Sequence, residues 1–533
     1  MGAVHRLGSS TLTGLLTGLL LVVGACASGQ SGGASTTTNR TLVVDKSFDL
    51  KTADPQREFE VSGGVVAKGL YDTLLTFKGP DVTTPVPAVA SSYTASSDAT
   101  TYTFKLRSDI KFSDGTPLTS ADVAFSFNRL INIKGNPSFL LDGVTVSAPD
   151  SSTVVLKSKE PNPALPFIIP NPALGIVNSK VVKAHGGTDQ PGADKADTAE
   201  QWLDSNSAGS GPYTLKSFST TSEVVMTANP KWWGPKPAFQ TVVMRNVQAP
   251  TQLVDIQKGK DEISLDLSPD QAHSLSGGQL NVASTASPNV FFLFANNNPQ
   301  ISPITPNQHF QNAIRYGLDY EGYKQIAGSG AIQAAGVIPS MFLGALPSSA
   351  DVKQDLTKAK QELAASGVSN PTLNLGFPSD FTLNGLSFAT LAQKIKSDLA
   401  QVGITVNLTG SPIATSLQEY RNGTEQLGLW EWGPDYPDPN DYLVFLPGQL
   451  VGKRAGWAAG ANPTLESLGQ KAGATVDNQQ RATQFQQIQT QLNQVGPFFP
   501  LLQPGQVVVS TSNLTQTDFN PTWWLDVSKV GTK

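Results

Sequence analysis

TLNLGFPSDFTLNGLSFATLAQKIKSDLAQVGITVNL, residues 372–408, carries the reading that decides the fold. TLNLGF (372–377) reads as a strand, LSFATLAQKIKSDLAQVG (386–403) as a helix and ITVNL (404–408) as a second strand. Antiparallel neighbours need only a hairpin, whereas a helix between two strands is a crossover, so these strands are expected to pair in parallel. Such a unit belongs to an α/β architecture.

The same interleaving continues on both sides. Downstream, QLGLWEW (426–432) reads as a strand, helices are expected at about 464–472 and 477–494, and FFPLL (498–502) and QVVVS (506–510) as strands. Upstream, VFFLFAN (290–296) is a buried-strand run, followed by helices over roughly 307–326 and 351–366. Nearer the N-terminus, TLVVDK (41–46), YDTLLTF (71–77) and TTYTFKL (100–106) read as strands, with Tyr102, Phe104 and Leu106 alternating at period 2. Thr119 stands three before Asp122 as a capping box for a helix at 119–131, and residues 144–157 read as a hairpin around Pro149-Asp150-Ser151. YTLKSF (213–218), EVVMTA (223–228) and QTVVMRNV (240–247) continue a sheet, and Pro250 opens a helix to about Lys258. No repeat of 20–50 residues is seen.

At 533 residues the chain exceeds what one hydrophobic core usually supports, and 39% apolar content fills two. Two α/β lobes are expected, with crossings at the turn-rich ASPN (286–289) and at Gln503-Pro504-Gly505. The net charge of −5, with only 15% charged residues, excludes the dense positive patch that nucleic acid needs.

The single cysteine follows a secretory pattern: Arg6 in a short n-region, then the apolar TLTGLLTGLLLVV (11–23). Val23-Gly24-Ala25-Cys26 resembles the lipobox of bacterial lipoproteins, which implies cleavage before Cys26 and its lipidation. Residues 27–40, rich in Gly, Ser and Thr, have the composition of a flexible tether, and no later run reaches 18 apolar residues. The folded body is expected to start near Thr41 and to sit outside the cytoplasm, held at the membrane by lipid. With one cysteine, no internal disulfide forms.

LWEWGPDYPDPNDY, residues 429–442, follows the strand 426–432. Ligands of α/β sheets bind beyond the carboxyl ends of strands, so this loop is expected at a lobe edge facing the inter-lobe cleft. Pro434, Pro437 and Pro439 restrict Asp435, Tyr436 and Asp438. A carboxylate framed by Trp430, Trp432 and Tyr436 suits a cation such as an amine. The loop alone fits equally a turn whose tryptophans are core. A glycosidase pair must flank a bond ~5–9.5 Å apart, which neighbours on one stiff loop do not do. The spacing is not that of an EF-hand, and no Gly-x-Ser-x-Gly, His-Glu-x-x-His or P-loop motif occurs. No enzyme activity, metal or cofactor is expected.

Longer stretches carry a family resemblance. LYDTLLTF (70–77) followed by residues 85–130 resembles the N-terminal signature of the family 5 extracellular solute-binding proteins, the peptide-binding class of ABC-transporter substrate-binding proteins. Leu106-Arg107, Lys111-Phe112, Asp114-Gly115, Pro117-Leu118 and Ala121-Asp122-Val123 fall where that family places them. Gly209-Ser210-Gly211-Pro212-Tyr213, Asn229-Pro230-Lys231-Trp232-Trp233-Gly234 and FQNAIRYGLDYEGY (310–323) are similar to further family segments.

The resemblance implies a two-lobed, periplasmic-binding-protein-like α/β fold with a discontinuous first lobe. That lobe is placed at 41–289 plus 505–533, with an extra subdomain at about 80–205, and the second at 290–504. It implies a monomer that captures a peptide in the cleft and delivers it to an ABC permease in the membrane. Trp432-Gly433-Pro434-Asp435-Tyr436 resembles the family's W-x-x-D-Y/N, whose aspartate pairs with a peptide's free α-amino group. Asp435 is therefore the expected amine partner, Trp432 and Tyr436 shape the pocket, and Trp430 faces either ligand or core. Asn298 either lines the cleft or caps a turn, and Trp232-Trp233 and Trp523-Trp524 are assigned to packing. Oligopeptide-binding relatives place an arginine where this chain has Leu429, so the carboxylate partner is open. Nickel complexes, haem or sugars are the alternative cargo.

Overall fold

The decisive stretch folds as a parallel pair. In the computed structural model, which describes residues 40–275 and 278–533, strand Thr372–Pro378 runs parallel to Thr405–Ser411 in unbroken register from Thr372↔Thr405 to Pro378↔Ser411. The crossover helix Phe388–Val402 buries Leu391, Ala392, Ile395, Leu399 and Val402 on one face. It stops at Gly403, whose φ of 100° suits glycine and whose N–H returns to the carbonyls of Leu399 and Ala400. The expected signal segment 1–25, Cys26 and the tether lie outside the described residues, apart from Arg40.

This pair forms one edge of a six-stranded sheet ordered Ile332–Gln333, Phe498–Gln503, Val290–Ala295, Leu427–Trp432, Thr372–Pro378, Thr405–Ser411. Val290–Ala295 is buried along its whole length, because apolar layers cover both faces. Phe291, Leu293 and Ala295 pack with helix 388–402, and Phe292 and Phe294 with Phe445 and Phe498.

A seven-stranded sheet builds the first lobe, ordered Leu280–Ala286, Gly505–Thr511, Glu262–Ser264, Thr41–Lys46, Thr241–Asn246, Glu223–Ala228, Tyr213–Phe218. Thr41–Lys46 pairs in parallel on both sides. Gly505–Thr511 inserts antiparallel between Glu262–Ser264 and Leu280–Ala286, so the lobe is discontinuous: the chain leaves it to build the second sheet and then returns. A four-stranded antiparallel sheet, Ala90–Ala95, Thr101–Leu106, Thr153–Ser158 and Val144–Asp150, carries its own core with helix Ser120–Ile133. The Thr119–Asp122 capping box forms as expected, Thr119 donating from N–H and Oγ1 to Asp122 Oδ2 at 2.9 and 2.7 Å.

Two expectations change. Helix 307–326 is two helices, Gln308–Gly317 and Tyr320–Ala327, because Asp319 caps the second by accepting from the Gly322 N–H. The strand expected at 71–77 shrinks to Leu75–Lys78, preceded by a helix, Val61–Leu70. That helix carries Gly63 and Gly64, which lower helix propensity and hide it from a pattern reading.

Candidate functional site

Strand Leu427–Trp432 ends in the proline-rich loop, and period 2 sorts its aromatic residues. Leu427 and Leu429 face the core shared with helix 388–402, so Trp430 and Trp432 face the opposite layer. Trp430 stacks on Tyr420 with centroids 4.5 Å apart, and its Nε1 donates to Glu425 Oε2 at 2.8 Å. It is 5% exposed and belongs to the core, which corrects the expectation that it frames a ligand. Trp432 packs edge-on against Phe445 and donates from Nε1 to Asp441 Oδ2 at 3.3 Å; it supports the loop from behind and does not line the cavity.

The three aspartates take three environments. Asp438 caps the 3-10 helix Pro439–Phe445 and meets Arg481 at 2.5 Å, both side chains fully buried, which pins the loop to helix Asn478–Val495. Asp441 accepts from Trp432 Nε1 and from the Asp435 N–H at 3.2 Å, bracing the two ends of the turn. Burial and then the neighbouring Asp435 charge raise its carboxyl well above the usual range. Asp435 is different: among the described residues no donor reaches its carboxylate, and burial pushes it up to about 6. Its own backbone is fixed, by the bond to Asp441 and by Asn171 Nδ2 of the first lobe donating to its carbonyl at 3.3 Å.

Asp435 lines a cavity of about 130 Å³ between the lobes. The first lobe supplies Glu58–Val61 and Gly64 at the start of helix 61–70, together with Asn171, Pro172 and the returning segment Pro521–Trp524. The second supplies Pro434–Pro437 and Phe342. Tyr436 reaches across to pack on the apolar core of the four-stranded subdomain. The walls are thus acidic and aromatic, with Glu58, Glu60 and Asp435 but no lysine, arginine or histidine among them. Such a wall attracts cations, through carboxylate charge and through ring faces.

Asn298 falls elsewhere. Strands Val290–Ala295 and Leu427–Trp432 are antiparallel, pairing Val290 with Trp432 and Ala295 with Leu427. Asn298 therefore follows the end of its strand farthest from Trp432, roughly 20 Å away at ~3.3 Å per residue. Its Oδ1 accepts from the Gln300 N–H at 3.0 Å, so of its two expected roles it takes the turn cap.

Sequence reasoning missed Glu58 and the second role of Trp523 and Trp524. Trp523 is 3% exposed and packs on Phe77, as expected of core, yet it and Trp524 also wall the cavity. Trp524 is held at φ 66° by paired hydrogen bonds with Asn520 at 3.0 and 2.7 Å, a conformation uncommon for a bulky residue. The available signal was Glu58-Phe59-Glu60, a second place where acids bracket an aromatic residue. A larger cavity of about 400 Å³ in the first lobe is lined by acids and lysines together, among them Lys68, Lys78, Asp72, Asp526 and Lys529, and Asp72 accepts from Trp233 Nε1 at 2.9 Å and Ser210 at 2.8 Å. The inter-lobe cavity differs in holding acids without a lining cation, and there Glu58 and Asp435 have no donor among the described residues.

Residues 84–450 match the model of the bacterial extracellular solute-binding proteins, family 5, middle region. The chain is 29% identical over 493 residues to the probable D,D-dipeptide-binding periplasmic protein DdpA of Escherichia coli K12, covering 90% of this chain and 92% of that one. It is 26% identical over 538 residues to di/tripeptide-binding protein 2 of Pseudomonas aeruginosa, covering 96% and 98%. The crystal structure of the ABC transporter substrate binding protein CtaP from Listeria monocytogenes superimposes with a TM-score of 0.79 at 19% identity, over 92% of this chain and 99% of that one. No helix among the described residues is long and apolar enough to cross a membrane. With the family's own model spanning most of the chain and its two-lobed fold shared from the first sheet to the returning strand, this protein belongs to the bacterial extracellular solute-binding proteins of family 5.

Proposed function

We propose that this protein captures peptides by their free α-amino group in the inter-lobe cavity and delivers them to the permease of an ABC importer. One observation carries the reading. Asp435 presents a carboxylate with no donor among the described residues, inside an aromatic cavity lined by no lysine, arginine or histidine. An ammonium 4 Å away is worth roughly 4 kcal/mol before desolvation at an effective dielectric near 20, enough to select an amine. The names of the Escherichia coli and Pseudomonas aeruginosa relatives, a dipeptide-binding and a di/tripeptide-binding protein, support a small peptide as cargo.

The lobes are 41–289 with 505–533, and 290–504. The cavity draws walls from both, so a ligand that bridges them favours the closed state over the open one. Cys26 carries the lipid that holds the protein at the outer face of the membrane, and two acyl chains make that anchorage stable. No basic residue lines the cavity, so the peptide's carboxylate lies outside it.

Calorimetric titration with alanine peptides of two to five residues, each with a free and an acetylated N-terminus, tests the reading. Free peptides bind and acetylated ones do not; equal affinity refutes ammonium pairing. Asp435→Ala weakens binding by ~2–5 kcal/mol, the effect of removing one member of a buried charge pair.

A further inference from the structure

Residues 49–60 hold four carboxylates, Asp49, Asp54, Glu58 and Glu60, and their partners separate them. Asp49 accepts from the N–H groups of Val61 and Ser62 at 3.1 and 2.9 Å, capping helix 61–70 from outside. Asp54 is held by Arg129 at 2.5 Å and by Arg57 at 3.4 Å. Glu60 pairs with Lys51 and accepts from the Phe59 N–H at 3.2 Å. Glu58 alone has no donor at its carboxylate among the described residues, although it is 2% exposed and lines the same cavity as Asp435. Burial, followed by the charges of Glu60, Asp49 and Asp54, raises it well above the usual carboxyl range. A buried carboxyl without a partner weakens a fold, so its position calls for a ligand.

The backbone makes room for it. A Cβ on Gly63, in the first turn of helix 61–70, would lie 2.7 Å from Glu58 Oε2. Glycine there lowers helix propensity and leaves space for the carboxylate over the helix start.

Resting on the reading that Asp435 receives an ammonium group, we infer that Glu58 is the second acceptor for that same group, contributed by the opposite lobe, and that the ligand is a primary ammonium rather than an N-alkylated cation. An –NH3+ has three donors and no acceptor, so it can satisfy two carboxylates at once and still reach a carbonyl or water. A trimethylammonium has the same charge and fits an aromatic wall but donates to neither acid. The two acids belong to different lobes, so the ammonium ties the lobes together through its own hydrogen bonds.

The test uses the full-length protein, with dialanine and pentaalanine, their N-acetyl forms and their N,N,N-trimethyl forms as probes, for wild type, Glu58→Gln and Asp435→Asn. The expected result is that wild type binds the free amines at least ten-fold more tightly than the trimethylated ones, and that Glu58→Gln weakens free-amine binding at least ten-fold. If Asp435→Asn weakens binding and Glu58→Gln does not, the second acceptor is refuted while the Asp435 reading stands. If neither variant changes binding, or wild type binds no free amine, both fall. Trimethylated probes that bind as tightly as free amines overturn the primary-ammonium assignment. Thermal unfolding guards against a purely structural effect: Glu58→Gln unfolds no lower than wild type, and a fall of several degrees identifies Glu58 as a fold residue and overturns the inference.

Discussion

Asp54 and Glu58 lie four residues apart in the chain, and the groups of acids to which they belong are treated oppositely. Asp54 and Asp197 flank Arg129, all three side chains fully buried, and the guanidinium is saturated. Its Nη1 donates to Asp54 at 2.7 Å and Gln56 at 2.8 Å, its Nε and Nη2 to Asp197 at 2.8 Å each, and its Nη2 also to Asp54 at 2.5 Å. Glu58, 2% exposed, and the half-buried Asp435 have no donor among the described residues. Both groups are withdrawn from bulk water to some degree, and the supply of donors is what separates them. The first group ties the segment before helix 61–70 to helix 120–133, and the second leaves acceptors open where the lobes meet.

Removing the donor of the first group has the largest effect. Arg129→Met strips two buried carboxylates of their main partner, leaving them, among the described residues, only Arg57 and backbone N–H groups, and destabilises the protein by about 3–5 kcal/mol, read from the urea midpoint. Asp435→Asn acts the other way. It removes a carboxylate that no donor among the described residues stabilises, so the unliganded protein keeps or gains stability while the affinity for free-amine peptides falls. A loss of stability comparable to that of Arg129→Met would place Asp435 with the structural acids.

The pH dependence sharpens the contrast, because the two groups titrate with opposite sign. Asp197 is held below its ordinary range: burial raises it, and the hydrogen bonds and charge of Arg129 outweigh this. Its contribution is present above the unfolded pKa of ~3.9 and lost as pH falls toward the folded value. Asp435, with a folded value of about 6, holds a proton between pH ~4 and ~6 that the unfolded chain has released. Its contribution is therefore lost as pH rises through that window. Asp441 behind it, Glu58 and Glu60 across the cavity and the Tyr436 hydroxyl are the titratable groups around it. In wild type minus Asp435→Asn, the stability difference becomes more unfavourable to wild type from pH 4.5 to 7, and affinity for an ammonium rises over the same interval. A flat difference contradicts the raised carboxyl.

What could be read in the sequence follows from how local its causes are. The 372–408 unit was legible because its turn, helix and strands are specified within the segment. The loop 429–442 was legible because three prolines restrict it locally, although Arg481 and Asn171, distant in sequence, also hold it. Glu58 was not, since its role is the absence of a partner, which only the fold reveals: Lys51, Arg57 and Arg129 serve its neighbours and pass it by. Asn298 stayed open between cleft and turn cap in the sequence because strand direction decides it: an antiparallel neighbour places consecutive strand ends at opposite edges of the sheet. Trp430 and Trp432 were sorted by depth along the strand, and Trp523 by a tertiary position that makes one ring both core and wall.

The smallest expected effect separates position from charge. Gly63→Ala keeps every carboxylate and adds one methyl group, 2.7 Å from Glu58 Oε2. Replacing glycine by alanine in a helix interior is favourable by about 0.5–1 kcal/mol, and moving the end of a flexible glutamate offsets part of that gain. The unfolding midpoint is therefore expected to stay level or rise slightly. Affinity for a free-amine peptide nevertheless drops several-fold, because the displaced carboxylate no longer meets the ammonium held by Asp435. If Glu58 were only a tolerated neighbour of the cavity, the added methyl group would register in the stability measurement and leave the titration unchanged.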